Sequence, residues 1–166
     1  MSVLSWVESS AFSVWVREST SLFAFPGILC CHTIGMGLVA GINGAIALRI
    51  LDVAPGVPLS EMKRFLPIMW FGFWLNAVSG VALLIAYPTK ALTNPVFYIK
   101  LGLIALALML LASITRQIFR DGREMDASAW RRVKILAAAS LASWAGVIAS
   151  GRLLAYTYTR LMADFR

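Results

Sequence analysis

Long, nearly uncharged apolar runs alternate along the chain with short segments that hold most of its lysine and arginine. The run over about residues 22–50 carries no charge until Arg49, and it exceeds the roughly 20 apolar residues a helix needs to cross a bilayer. Two prolines and a glycine in DVAPGVPLS then predict a turn. A second apolar run covers about 65–87. Its Pro67 belongs either in a first helical turn, where the missing N–H is harmless, or at a kink in a helix begun at Ser60. Tyr87-Pro88 closes that run, and Asn94-Pro95 reads as an N-cap with proline at the first helical position of a third, over about 95–115. After a basic stretch from Arg116 to Lys134, a fourth run covers about 133–156. The pattern predicts an all-α polytopic membrane protein, a single domain of four transmembrane helices. Ahead of them, Val3, Val7, Ala11 and Val14 fall at helical spacing with Trp6 and Trp15 alongside, which predicts an amphipathic helix over 2–18 lying in the membrane interface.

Composition agrees with the pattern. Hydrophobic residues make up 60% of the chain and charged residues 14%, against roughly 45–50% and 25% in soluble domains. The net charge of +7 does not point to nucleic acid, because the basic residues sit between apolar runs and not on a soluble face. They set topology instead. Arg49, Lys63, Arg64, Arg116, Arg120, Arg123, Arg131, Arg132 and Lys134 fall on one side, against Arg17, Lys90, Arg160 and Arg166 on the other. By the positive-inside rule both termini lie outside a bacterial inner membrane. Glu8, Arg17 and Glu18 interrupt any signal-peptide core, so the N-terminus is expected to be retained. Cys30 and Cys31 are neighbours whose side chains diverge by about 100° on a helix and do not readily bridge.

The only histidine, His32, falls inside the first span. An ionisable group there is a functional-site hypothesis by default. At 100° per residue His32 shares a face with Phe25, Leu29, Met36, Val39 and Asn43, while Gly37, Gly41 and Gly44 gather opposite. That glycine face is of the kind that admits a neighbouring helix, a second copy or a partner in a membrane complex. Gly72, Asn76, Ser79 and Gly80 form a small and polar stripe on the second span. Counted from the outer ends, His32 lies roughly 15 Å deep, and Lys100 and Arg152 roughly 8 Å. Three helices thus bring polar groups to the outer half, in spans that contain no Asp or Glu. A haem b would match this set: His32 as axial ligand, Lys100 and Arg152 on the paired propionates, and Asn76 beside them. The competing structural reading lets Lys100 and Arg152 snorkel to the headgroups and His32 bond a carbonyl, Thr33 or Asn76 across the bundle, with no cofactor.

Copper is the alternative ion, with His32 and Met36 on one face at i, i+4 as its donors. A third donor is not evident, since Met69 and Met109 lie at the wrong depth. One histidine per chain also leaves a haem's sixth position to a second copy, an exogenous ligand or a different residue. No hydrolase or phosphate-loop motif occurs, the spans lack paired carboxylates, and no second histidine is available for zinc. The residues assign no catalytic activity of the chain's own.

His32-x-x-Gly35 with Gly41, Arg64 opening the second span, Ser79-Gly80 with Leu83, and Asn94-Pro95 followed by Tyr98 and Lys100-Leu101 together resemble the CopD-like membrane proteins. The resemblance covers the first three spans and implies a four-helix unit with a role in copper handling. The chain is more distantly similar to HemJ-type haem proteins, which implies interest in His32 and Lys100. Three functions follow as expectations: a haem-binding redox or accessory subunit, a copper-handling protein, and a structural subunit without a cofactor.

Overall fold

In the computed structural model the described residues are 3–53, 55–119 and 126–163. They form α1 (Val3–Glu8), α2 (Ala11–Glu18), α3 (Phe25–Ile50), α4 (Leu59–Met62), α5 (Leu66–Ala86), α6 (Pro88–Leu92), α7 (Pro95–Phe119) and α8 (Ala127–Ala163). A 3₁₀ turn over Lys63–Phe65 joins α4 to α5. Both expectations for Pro67 meet here. The chain is helical from Leu59, tightens through the 3₁₀ turn, and restarts at Leu66 with Pro67 in the first turn of α5. Four segments, Phe25–Ile50, Leu59–Ala86, Pro95–Ile118 and Ala127–Leu154, are long and apolar enough to cross a membrane. The protein is an all-α, multi-pass membrane protein.

The four long helices pack as two intimate pairs, α3 on α5 and α7 on α8, and α3 joins the pairs by packing on α8. Val39, Met69, Ala107, Leu111, Trp144 and Val147 form one buried cluster in the middle of the bundle. Ile46, Ile50, Ile114, Val133 and Ala137 form a second towards the C-terminal end of α3. That end closes on a Schellman turn: Val53 N–H reaches Leu48 O, Asp52 N–H reaches Arg49 O, and Asp52 sits at φ 62°. Glycine is usual at such a position, and aspartate holds it here with its carboxylate on Lys134 Nζ at 2.5 Å and near Arg49 at 3.6 Å. Those two cations hold the Asp52 carboxyl below its ordinary range, with the Lys134 hydrogen bond the larger cause. α8 starts on an Asp126 cap whose Oδ1 accepts from Ala129 N–H at 2.7 Å.

The N-terminal region differs from the expected single helix. Ser10 accepts from Ser13 N–H and caps α2, so the segment breaks into α1 and α2. The stripe of Val3, Val7, Ala11 and Val14 is not what packs inward; Val16 and Ser13 are fully buried instead, and Val3 is exposed. Ser13 Oγ donates to Ala86 O, and Arg17 donates to Ser13 Oγ, Ala86 O and Glu8 O. Arg17 therefore satisfies a carbonyl left open at the C-terminus of α5 and fastens α1 and α2 to that end.

Candidate functional site

Where α3 meets α5 the two backbones touch. A Cβ on Gly35 would stand 2.6 Å from Asn76 N and 2.7 Å from Gly72 O, and one on Gly72 would stand 2.6 Å from Leu38 Cβ. The small and polar stripe on α5 is the surface that meets α3. Backbone proximity puts side-chain groups within reach of main-chain ones: Asn76 Nδ2 donates to His32 O at 2.7 Å, and His32 Nδ1 lies 3.0 Å from Asn76 O. A carbonyl only accepts, so Nδ1 carries the proton of this bond. Ser79 Oγ donates to Leu75 O at 2.6 Å and sits 3.2 Å from Nδ1. In the neutral ring this arrangement leaves the lone pair on Nε2, which no described residue engages. The ring edge rests on Gly80, where a Cβ would meet Cε1 at 3.1 Å and Nδ1 at 3.4 Å.

Lys100 enters from α7. Its half-buried side chain brings Nζ to 4.0 Å from where a Cβ on Gly151 of α8 would be. His32, Asn76 and Ser79 thus form one polar seam between α3 and α5, and Lys100 lies where α7 meets α8. Arg152 follows Gly151 but is exposed on α8. Asn76 and His32 are joined by two reciprocal bonds, each from one residue's side chain to the other's main-chain carbonyl. Met36, one turn from His32, packs against the apolar cluster around Val39 and Met69. Cys30 and Cys31 are free and exposed, and Thr33 bonds Leu29 O within its own helix. Among the described residues no three His, Cys, Asp or Glu side chains gather as a metal site.

Two residues at this site were not singled out as ligand partners by the sequence. Ser79 and Gly80 shape the His32 ring's position, and their sequence signals are helical spacing from Asn76 and a place in the CopD-like motif set. On the opposite face of α3 Gly37 and Gly41 have open space above them, whereas a Cβ on Gly44 would stand 3.8 Å from Leu141 Cδ2 of α8. The glycine face is therefore divided: its deep end packs within the chain, and its outer part does not.

No protein-family model, curated protein or solved structure matches the chain. The likeness to CopD-like proteins accordingly rests on the motifs quoted above.

Proposed function

We propose that the protein is a cofactor-binding subunit of a bacterial inner membrane, holding a haem b or similar anionic cofactor in the outer half of its bundle. The observation that carries this reading is the His32 ring, whose Nδ1–H is committed to Asn76 O while Nε2 has no described partner. A histidine that donates one ring N–H to a backbone carbonyl and keeps the other nitrogen free has the second-shell arrangement of a metal ligand. Lys100 supplies a cation for a carboxylate among helices α3, α5 and α7, which contain no Asp or Glu. Arg152, on the α8 surface, would serve a second carboxylate only at the bundle's outer rim. The donor set fits a group that takes one nitrogen ligand from this chain. Bound haem would supply one-electron redox chemistry; the chain's residues orient the ring, hold its proton on Nδ1 and place positive charge at one side.

The distribution of lysine and arginine supports an orientation with both termini outside. The open Gly37 and Gly41 surface, on the face of α3 away from His32, supports a contact with a second copy or a partner subunit. Absorption spectra of detergent-purified protein, oxidised and dithionite-reduced, test the reading beside His32→Ala and Lys100→Gln. A Soret band that disappears in His32→Ala and weakens in Lys100→Gln is expected. A colourless wild type after expression with ample haem overturns it. Copper at one equivalent, lost in both His32→Ala and Met36→Leu, would establish the CopD-like role in its place; neither metal nor haem would leave a structural subunit.

A further inference from the structure

Away from His32, an open groove of about 230 Å³ runs between α5 and α7 at the end where α5 begins and α7 finishes. The backbones of these two helices approach little among the described residues, so the bundle is open on this side. Leu66, Met69 and Trp70 form one wall, and Leu108 and Leu111 the other. Thr115 also lines the groove, but its hydroxyl is spent on Leu111 O at 2.8 Å. The walls therefore offer an apolar slot. Arg116 stands at its rim, exposed, in the last turn region of α7.

Charge at this end is unevenly neutralised. Asp52 takes Lys134 and Arg49, and Glu61 takes Arg64 at 2.9 Å. Lys63 and Arg116 have no acidic partner among the described residues, and Lys63 precedes the groove residue Leu66 by three positions. An apolar slot closed by unneutralised cations is complementary to an amphiphile with a long tail and a negative head. A second copy of this chain is a poor occupant, because of the described carboxylates at this end Asp52 and Glu61 are paired with cations and Asp126 is engaged in capping α8. Trp70 lines the slot and is 46% exposed.

We propose that the α5–α7 groove binds an anionic phospholipid, with an acyl chain along Leu66, Trp70 and Leu108, the phosphate at Arg116, and Lys63 adding positive potential. The site is independent of the His32 region and does not rest on any cofactor there. Bilayers of phosphatidylcholine containing mid-chain dibrominated phosphatidylglycerol or dibrominated phosphatidylcholine test it through tryptophan quenching. The Trp70 contribution is the difference between wild type and Trp70→Phe. A preference of ~5-fold for the anionic lipid is expected, from about 1 kcal/mol per basic residue near the surface. Arg116→Gln should bring that preference close to unity, and Lys63→Gln should lower it less. Equal quenching by the two lipids, or a preference unchanged in Arg116→Gln, overturns the proposal. Trp70 shielded from both lipids, with cross-links between copies at the groove, also overturns it. Native mass spectrometry of the wild type after equal supply of both lipids gives a readout that needs no variant: retained phosphatidylglycerol supports the site, and equal retention overturns it.

Discussion

α3 presents polar residues to two neighbours, and the two seams handle them in opposite ways. At the α3–α5 seam, Gly35 and Gly72 let the backbones touch, so Asn76 Nδ2 and His32 Nδ1 each find a main-chain carbonyl. At the α3–α8 seam, bulkier side chains such as Leu141 and Trp144 intervene. There Asn43 Oδ1 accepts only from a side chain, Ser140 Oγ at 2.8 Å. Asn43 Nδ2 and Trp144 Nε1 stay buried without a protein partner. Carbonyls are usually engaged within their own helix, yet each has a second lone pair that a neighbour can use only at close range. Tight packing therefore makes polarity inexpensive at one seam, whereas the wider seam strands N–H groups that cost about 1–3 kcal/mol each when unsatisfied.

The sharpest break of this contrast is Gly35→Ala. Its Cβ would meet main-chain atoms under 3.0 Å that no side-chain rotation relieves, and overpacking of this kind costs about 1–3 kcal/mol. Urea unfolding in mixed micelles should show a loss at the upper end of that range, and a neutral result would mean the helices do not touch as described. Asn76→Ala removes one cross-helix bond but keeps the Asn76 carbonyl. It should cost about 1 kcal/mol and leave every His32-dependent spectral property in place. If Asn76→Ala abolishes those properties, the side chain and not the carbonyl positions the ring.

At the wider seam, Trp144→Phe removes a buried donor that has no partner, which offsets the packing it loses. Stability within about 1 kcal/mol of wild type is expected, and a loss as large as that of Gly35→Ala would show that the indole N–H is satisfied after all. The smallest effect belongs to Asp126, outside the spans. The Ala129 N–H bond is the first cause that holds its carboxyl below the ordinary range, followed by Ser128. A folded-state pKa below the unfolded one means that the cap stabilises above the ordinary carboxylate range and that this contribution fades as pH falls through the depressed value. Thermal melts of wild type and Asp126→Ala should differ slightly at neutral pH and converge in acid, once the pH is below the depressed value. A difference that persists in acid would assign the effect to something other than the ionised cap.

The four apolar segments were legible because crossing a bilayer requires long runs of one kind, which a sequence displays directly. Helix starts at Pro95 and near Pro67 were legible for a local reason, since proline fixes φ and tolerates the first turn. The helical character of the N-terminal segment was legible, but its division was not: Val3, Val7, Ala11 and Val14 match one helical face, while Ser10 offers a cap that breaks the helix and turns Ser13 and Val16 inward. Helical spacing put His32, Met36 and Asn43 on one face, yet that face serves different neighbours along its length. His32 goes to α5, Met36 to the apolar cluster, and Asn43 to α8.

Residue order alone makes this chain helical, carries it across a membrane several times, and places its only imidazole within a span. These follow from length, hydropathy and local capping, which act within one segment at a time. Interhelical geometry was needed to show which ring nitrogen of His32 is engaged, that Lys100 lies against Gly151 while Arg152 is exposed, and that α5 and α7 leave a groove. Each depends on distances of a few ångströms between helices, set by where a missing Cβ lets two backbones meet, and no single segment encodes that distance.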